Sequence, residues 1–573
     1  MTLIVGTNNS EVLNGTGQGD VIYGLGGNNT INGVGGNNIL IGNDIFQSSI
    51  ALVPYTNPAA TGGGGAPVFS ADGTKLAFWA TDINTGSFAI YVANLITGTL
   101  TQEGGPGFQN NPTQLAWSPD GTELAITTTS SQTLNGNIFV LNLASGKYTL
   151  VSASAAGVPA AYNGAASLTD SENPVFSPNG TEVLFNSNAN NLVAGSTAFG
   201  EQEVYLKNLI TGAVTEVSVG SLANQGTSAI YRGGVNPQGS TNAVFSPDGN
   251  EVAFQSDDNT LTSDTPTSNN AGGEEIYVKN LLNNNLNLES QYLHNATDTV
   301  GNNASIDPEF SGDGNQVVFS TNATNFPQAN PNAHYQVYIK SLTTQSVALE
   351  SDFVDGSGNV TLGNGDSFTP SFTSNGHFIV FTSYATNLDP SHTYSNGDEP
   401  QALIKSPSTG EIAPLTENVA GVLGNSGVFS NQPTFGLDQG AVESPVGDMV
   451  AFVDLSSNLV SGATNPATIS DIYVTTPGLS PLNFTGLSES GNDTLTGGPG
   501  NDTLVPGPAT NTLNGGGGWN MVAYHLASNQ VTITHNANGS TTITHPGGSD
   551  TVTNVELALF SDCLLYTSDA ADE

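Results

Sequence analysis

The sequence predicts an all-β protein assembled from repeats. Of its 573 residues, 69 are glycine and 29 are proline, and short apolar segments recur between these turn-forming residues along the whole chain. Many short strands joined by tight turns are typical of architectures that stack or close their sheets. The repeats are of two kinds, one at both ends of the chain and the other in the middle.

The N-terminal repeat is nine residues long. Residues 6–41 divide without a gap into GTNNSEVLN, GTGQGDVIY, GLGGNNTIN and GVGGNNILI, and a second set follows from residue 488 as SESGNDTLT, GGPGNDTLV, PGPATNTLN and GGGGWNMVA. The period and register resemble the hemolysin-type (RTX) calcium-binding repeat, G-G-x-G-x-D-x-U-x. The resemblance implies a parallel β-roll in which two nonapeptides, each a glycine-rich turn and a short strand, make one coil.

The sixth residue of each nonapeptide is the candidate calcium ligand. With eighteen residues in a coil, sixth positions eighteen apart lie on the same side. The predicted pairs are Glu11 with Asn29, Asp20 with Asn38, Asp493 with Asn511, and Asp502 with Asn520. Each pair has one carboxylate and one amide, where the RTX family has two carboxylates, so we expect fewer or weaker Ca²⁺ sites. The alternative is a hydrogen-bonded ladder of these side chains without an ion.

The middle of the chain repeats a hairpin unit. Six copies carry an aromatic residue before a Ser-Pro-Asp-Gly type turn, and they begin PVFSADG, LAWSPDG, PVFSPNG, AVFSPDG, PEFSGDG and PSFTSNG; a seventh, VESPVGD, has Glu443 instead of the aromatic. The spacing suits one four-stranded blade per copy. The pattern resembles the PD-type, WD40-like β-propeller repeat of TolB-type bacterial proteins. The resemblance implies a seven-bladed β-propeller, with segment 47–54 as the closing strand of the last blade.

These assignments divide the chain into N-terminal RTX repeats (1–44), a propeller (45–478), and C-terminal RTX repeats with an antiparallel end segment (486–562). Each RTX piece has only two coils, and repeat arrays need about three units for stability, so we expect both pieces to stack as one composite β-roll. Residues 563–573, CLLYTSDAADE, resemble a translated sequencing adapter. We interpret them as non-native, with the C-terminal type I secretion signal implied by the RTX resemblance lost beyond Asp562.

The charge balance excludes several partners. The chain has 7 Lys and Arg against 49 Asp and Glu, a formal charge of -42. A polyanion with so few bases is unsuited to nucleic acid or to anionic membrane surfaces, and no apolar stretch is long enough for membrane insertion. The metalloprotease motif H-E-x-x-H, the serine-hydrolase motif G-x-S-x-G and the Walker A motif are all missing.

Three further groups of residues invite a functional interpretation. The acids of the blade turns are interpreted as turn caps, four lysines at one equivalent strand position as partners of neighbouring acids, and two histidines near the C-terminus as a cross-strand surface pair. The residues are Asp72, Asp120, Asp248 and Asp313 for the turns, Lys207, Lys279, Lys340 and Lys405 for the strands, and His535 and His545 for the pair.

The sequence therefore favours a secreted, extracellular bacterial protein that binds calcium and is not an enzyme. Its propeller is expected to bind a glycan or a cell-surface protein. The alternative is an exported hydrolase or lyase that acts on a polysaccharide or peptide at a central-channel site with no recognisable motif. Three or more converging His, Asp or Glu side chains in the channel favour the enzyme, whereas Asn, Ser and Thr favour the binding module.

Overall fold

In the computed structural model the chain is almost entirely β-structure. The structure describes residues 2–5, 12–16, 20–23, 30–35, 38–41, 49–52, 64–71, 73–82, 87–94, 99–103, 111–130, 133–161, 170–194, 201–219, 239–258, 261–262, 273–294, 297–327, 330–354, 360–373, 378–389, 400–407, 410, 412–416, 442–443, 450–454, 471–476, 492–506, 509–518, 520–524, 528–560 and 563–566. Contacts divide the chain into two units, one of Met1–Ala51, Asn94–Thr99 and Thr475–Glu573, the other of Leu52–Ala93 and Leu100–Val474. The predicted boundaries at 44, 45, 478 and 486 lie outside the described residues.

The N-terminal segment forms five short strands, one before the first nonapeptide and one in each of the four nonapeptides. They are Thr2–Val5 (β1), Val12–Asn14 (β2), Asp20–Tyr23 (β3), Thr30–Asn32 (β4) and Ile39–Ile41 (β5). Alternate strands pair in parallel, so that Ile22 lies opposite Leu40 and Leu13 lies opposite Ile31. Each partner is eighteen residues away, which is the coil length predicted from the nonapeptides.

The middle of the chain forms four-stranded antiparallel sheets, each a simple meander. After Ser49–Leu52 (β6), the strands are Gly64–Phe69 (β7), Lys75–Asp82 (β8), Ser87–Asn94 (β9), Leu100–Glu103 (β10), Asn111–Trp117 (β11), Glu123–Ser130 (β12), Thr133–Asn142 (β13), Lys147–Leu150 (β14), Ser171–Phe176 (β15), Glu182–Ser187 (β16), Glu203–Asn208 (β17), Val214–Glu216 (β18), Ser240–Phe245 (β19), Glu251–Ser256 (β20), Glu275–Asn280 (β21), Leu286–Leu288 (β22), Gln291–His294 (β23), Thr297–Val300 (β24), Ser305–Phe310 (β25), Gln316–Thr321 (β26), Gln336–Ser341 (β27), Val347–Leu349 (β28), Asp352–Val354 (β29), Val360–Leu362 (β30), Ser367–Phe372 (β31), Ile379–Ser383 (β32), Gln401–Lys405 (β33), Ile412–Pro414 (β34), Val442–Glu443 (β35), Val450–Asp454 (β36) and Asp471–Thr476 (β37). This repetition of blades is a β-propeller, as predicted.

Six blades are described in full, one fewer than the seven predicted. They are β7–β10, β11–β14, β15–β18, β19–β22, β25–β28 and β31–β34, with two extra hairpins, β23–β24 and β29–β30. The strands of the seventh repeat form a less complete sheet in the order β35-β36-β37-β6, in which β35 has two residues. Its sequence gives the reason: Glu443 replaces the anchoring aromatic, and its turn, SPVGD, departs from the Ser-Pro-Asp-Gly pattern.

The propeller core lies between successive blades. One buried cluster joins Leu184 and Val204 of the third blade to Phe254 and Tyr277 of the fourth. The second-strand phenylalanine stacks on the third-strand tyrosine, with ring centroids 5.8 Å apart for Phe254 and Tyr277, and the first and third blades repeat this stacking. Each blade therefore buries its apolar surface only by contacting its neighbours.

The blade turns are capped by their acids. Asp120 Oδ1 accepts hydrogen bonds from Thr122 N at 3.1 Å and Ser118 Oγ at 2.6 Å, and these bonds lower the pKa of Asp120. Asp248 and Asp313 make the equivalent contacts. The cap prediction is confirmed for these three residues; Asp72 lies outside the described residues.

The four equivalent lysines are buried and link neighbouring blades. Lys207 Nζ donates to Ala153 O at 2.9 Å, and Lys279 Nζ donates to Val219 O at 3.2 Å. Lys340 Nζ donates to Gln291 O at 2.5 Å. Lys405 has the predicted acidic partners, because its ammonium bonds to Asp352 and lies 3.6 Å from Glu350 Oε2. Lys207 and Lys340 also donate to a carbonyl of their own blade, Gly212 O and Gln345 O.

The C-terminal repeats complete the β-roll that the N-terminal repeats begin. Their strands are Thr494–Thr496 (β38), Thr503–Val505 (β39), Thr512–Asn514 (β40), Met521–Ala523 (β41), Thr532–His535 (β42), Thr541–His545 (β43), Gly548–Thr553 (β44), Leu557–Phe560 (β45) and Cys563–Tyr566 (β46), with a 3-10 turn at Ser528–Gln530. Two seven-stranded sheets result, β1-β3-β5-β39-β41-β45-β46 and β2-β4-β38-β40-β44-β43-β42. The composite β-roll is therefore confirmed.

The junction between the two pieces is continuous. Leu40 lies opposite Leu504 in one sheet, and Ile31 lies opposite Leu495 in the other. These side chains and Ile22 are fully buried in one cluster. The interior of the roll thus consists of one aliphatic residue per nonapeptide, stacked without a break across residues distant in sequence.

Candidate calcium site and propeller channel

The sixth positions of the nonapeptides form ladders along the roll. Asn38 donates to Asp502 Oδ1 through its backbone N at 2.6 Å and through Nδ2 at 2.7 Å. In the next coil, Asp502 N donates to Asn520 Oδ1 at 2.9 Å, and Asn520 N donates to Glu556 Oε2 at 2.6 Å. This first ladder contains side chains from both ends of the chain.

The second ladder lies beside the other sheet of the roll. Asp493 N donates to Asn511 Oδ1 at 2.9 Å, and Asn511 N donates to Asp550 Oδ1 at 2.7 Å. Asp493, Asn511 and Asp550 are all buried. Each rung joins the backbone of one coil to the side-chain oxygen of the next, so the sixth residue is required to offer an oxygen whether or not an ion is bound.

The structure places the predicted residues as follows. Asp493 and Asn511 are neighbours, as are Asp502 and Asn520. Asn38 also contacts Asp502. This pair joins the two ends of the chain, so it is not among the pairs predicted from the eighteen-residue spacing. The side chain of Asp20 and the residues Glu11 and Asn29 lie outside the described residues. The role of all eight as calcium ligands stays a prediction.

The chemistry of the ladder fits a hard cation. Besides the carboxylate and amide oxygens, the turns bring backbone carbonyls close: a Cβ added to Gly497 would lie 2.2 Å from Gly515 O and 2.5 Å from Asp502 Oδ2. Burial raises the pKa of Asp502, against the lowering effect of its bonds from Asn38 and Gly498. Oxygen atoms from carboxylates, amides and carbonyls are the ligands that Ca²⁺ takes in proteins, and a cation would offset the cost of burying this carboxylate.

The nonapeptides match a known repeat. Four copies of the RTX calcium-binding nonapeptide repeat are found, in residues 5–40 and 488–522. These are RTX calcium-binding repeats. No curated protein sequence matches the chain.

Several solved structures resemble the chain at low sequence identity. TolB from Acinetobacter baumannii is 16% identical with a TM-score of 0.30, and the match covers 53% of this chain and 62% of TolB. Oligogalacturonate lyase from Vibrio parahaemolyticus is 11% identical with a TM-score of 0.42, covering 74% of this chain and 93% of the lyase. The β-propeller domain of the Trilobed protease from Pyrococcus furiosus is 10% identical with a TM-score of 0.40, covering 74% and 97%.

Two acids of the RTX roll were not anticipated from the sequence. Asp550 and Glu556 receive the last rungs of the two ladders, although they lie outside the nonapeptides. The available signal was the closing segment D-T-V-T-N-V-E, which places Asp550 within β44 and Glu556 directly before β45. With these acids, the two ladders end on carboxylates rather than amides.

The histidine prediction was wrong. His535 lies opposite Thr541, whereas His545 lies opposite Gly548, so the two do not form a cross-strand pair. His545 is buried, with Nε2 3.3 Å from Asp550 Oδ2, and Tyr524 Oη donates to the same oxygen at 2.7 Å. The motif T-I-T-H occurs at both sites, but only the strand that carries His545, β43, also pairs with the third strand β44.

A β-bulge recurs at the same position in the first, inner strand of several blades, and the residues at this bulge line the propeller channel. At this bulge the inner strands of five blades hold a residue other than glycine at positive φ, between 49° and 56°. The residues are Ala66, Asn173, Asn242, Asp307 and Thr369. All five line a cavity of about 680 Å³. The shared bulge turns their side chains toward the channel and next to one another.

Five of the blades are joined there by hydrogen bonds that involve side chains. Asn173 N donates to Gln114 Oε1 at 2.7 Å, and Asn173 Nδ2 donates to Asn242 Oδ1 at 3.0 Å. Asn242 Nδ2 donates to Asp307 Oδ1 at 3.0 Å, and Thr369 N donates to Asp307 Oδ2 at 3.3 Å. We call Gln114, Asn173, Asn242, Asp307 and Thr369 the amide arc. Within the described ranges, no three His, Cys, Asp or Glu side chains group closely enough to hold a metal ion.

Proposed function

We propose that this protein is a secreted, non-enzymatic calcium-binding protein whose propeller is a platform for a glycan or cell-surface protein. The observation that carries the calcium part is the composite RTX roll, in which Asn38 from the N-terminal repeats bonds to Asp502 from the C-terminal repeats. Ca²⁺ would be held by the ladder oxygens and turn carbonyls. When bound, it supplies positive charge that compensates the buried carboxylates and couples ion binding to folding of the roll.

Secretion is proposed from the calcium chemistry and the repeat type. RTX repeats are typical of secreted proteins, and a site with few carboxylates requires the high calcium concentrations found outside cells. No helix in the described part of the chain has the length and apolar character needed to cross a membrane. Measuring the protein in culture medium and in cell lysate tests this part of the proposal.

The channel supports the binding platform over the enzyme. Three members of the amide arc, Gln114, Asn173 and Asn242, are carboxamides, and a fourth is threonine. Acids are limited to Asp307 and Glu309 among the described lining residues, and histidine is not present among them. General acid–base or metal-assisted hydrolysis requires convergent ionisable groups. Amides and hydroxyls instead provide hydrogen bonds for recognition.

Calcium titration tests the proposed function. We expect Ca²⁺ up to millimolar concentration to raise the thermal midpoint of the roll and change its circular dichroism, while Mg²⁺ at the same ionic strength has little effect. Asp502→Asn removes a carboxylate and should weaken the response by about tenfold or more, since calcium affinity follows ligand charge. No response of the wild-type chain to millimolar Ca²⁺ would contradict the proposal.

Asp248→Asn is the matched control for this experiment. It removes the same charge from a blade turn of the propeller, where the equivalent residue of the third blade is Asn179. Asn179 Oδ1 accepts from Thr181 N at 2.9 Å, so an amide already performs this capping role in the same molecule. The control variant should therefore keep the wild-type calcium response. Equal weakening in both variants would mean that total charge, rather than the ladder, is responsible.

A further inference from the structure

The channel cavity has polar groups on an otherwise apolar wall. Valine side chains such as Val175 and Val244 and the prolines that follow the bulge residues line it together with the amide arc. Concave sites with apolar walls and a few convergent polar groups are the usual form of small-ligand sites in proteins. The volume of about 680 Å³ is sufficient for a ligand of two to three sugar rings in size.

The side chains of the amide arc include both donors and acceptors. An amide offers two N–H donors and a carbonyl acceptor, and a hydroxyl is both donor and acceptor. A cation site would instead need converging oxygen acceptors. The mixture of donors and acceptors matches the hydroxyl groups of a polyol, each of which also donates and accepts.

The charges of the cavity select against anionic ligands. Asp307 and Glu309 line it, and no Lys, Arg or His is found among the described lining residues. Burial raises the pKa of Glu309 to about 7, which favours a protonated, hydrogen-bonding carboxyl group in neutral to mildly acidic solution. A ligand carrying carboxylates or phosphates would meet these acids without any compensating base.

We propose that the channel of the propeller binds the end of a neutral oligosaccharide, held by the amide arc. This inference rests on the proposed role of the propeller as a binding platform and names its site and ligand class. Ligand hydroxyls would exchange hydrogen bonds with the side chains of the amide arc, and the sugar C–H faces would lie against the valine and proline wall.

The test uses calorimetry on the full chain in calcium buffer. The probes are cellohexaose, maltohexaose, mannohexaose and xylohexaose as neutral oligosaccharides, and hexagalacturonate as the anionic one. We expect at least one neutral probe to bind and hexagalacturonate not to bind. Asn242→Gly should weaken binding by about tenfold or more, because it removes the central residue of the arc at a positive φ that glycine accepts.

One further variant separates recognition from folding. Asp248→Asn, in a blade turn, should bind as wild type. Binding of no neutral probe, preference for hexagalacturonate, or an unchanged affinity in a folded Asn242→Gly variant would each overturn the inference. The calcium response is measured on the same samples, so a failure of the RTX roll is distinguished from a failure of the channel.

Discussion

Among individual residues, Glu309 combines a carboxyl group with a desolvated position on the channel wall. Burial raises its pKa to about 7 from an ordinary value of 4.5. Because the folded pKa is the higher one, the folded state holds the proton more tightly. The resulting stability is fully present below about pH 4.5 and is lost as the pH rises through about 7.

Glu309→Gln should remove this pH dependence. A shift of this size corresponds to at most roughly 3 kcal/mol of unfolding free energy between the two pH limits. We expect the wild-type propeller to lose more stability than the variant between pH 5 and pH 8, measured by urea unfolding at fixed calcium. Parallel curves for the two proteins would show that Glu309 titrates normally in the folded state.

The roles of some individual residues could be predicted from the sequence and those of others could not. The motif S-P-D-G predicted the capping role of Asp120 correctly, because an Asx turn depends only on residues two positions apart. The four lysines were recognised as equivalent, and Lys405 has the expected acidic partners, whereas Lys207 and Lys279 donate to backbone carbonyls. Carbonyl acceptors of these two lysines lie about fifty to sixty residues earlier, and backbone atoms leave no signature in a sequence.

At the scale of elements, Gly497 in a turn of the roll is required by space rather than by backbone angle. Gly497 is packed against the carbonyl of Gly515 in the next coil, so a Cβ there would collide with it. Gly121 in a blade turn has φ +66°, and a Cβ at that position would have no atom within 4 Å. The same residue type is thus required for two different reasons.

Alanine substitution at these two glycines should separate the two causes. Gly497→Ala forces adjacent coils apart and should lower both the thermal midpoint of the roll and its calcium affinity, the latter by about tenfold or more. Gly121→Ala should cost only about 1 kcal/mol of propeller stability, from the strained backbone, and leave calcium binding intact. Unchanged calcium affinity in Gly497→Ala would show that the turn can widen without affecting the ladder.

Elements were predicted well where a repeat was regular and poorly where it degenerated. Nine-residue spacing located the roll strands because one aliphatic residue per repeat must be buried. The seventh propeller repeat, with Glu443 in place of an aromatic, has a two-residue inner strand where a full one was expected. His545 shows the same limit, since its burial is set by the strand β44 and not by its own motif.

At the scale of the whole molecule, the composite roll makes each end of the chain dependent on the other. Ile31 and Leu40 cover the first C-terminal coil, which would otherwise expose Leu495 and Leu504. Exposing these side chains to water would cost several kcal/mol.

Deleting residues 1–44 should therefore impair the C-terminal RTX repeats. We expect the calcium concentration at half-response to rise by about tenfold or more, measured by circular dichroism, because Asp502 loses Asn38 and the core loses its N-terminal coils. Adding back a synthetic peptide of residues 1–44 should restore part of the response. A deletion variant with the wild-type response would mean that the C-terminal repeats fold alone.

The pairing of Leu40 with Leu504 also sets an order of events during synthesis. The N-terminal coils leave the ribosome first, yet their sheet edge has no partner until more than four hundred further residues have been made. Contacts this distant in sequence form late and slowly. Residues translated well before the C-terminal repeats are thus among the last to reach their final environment, and an interrupted chain keeps an open sheet edge available for quality control to recognise.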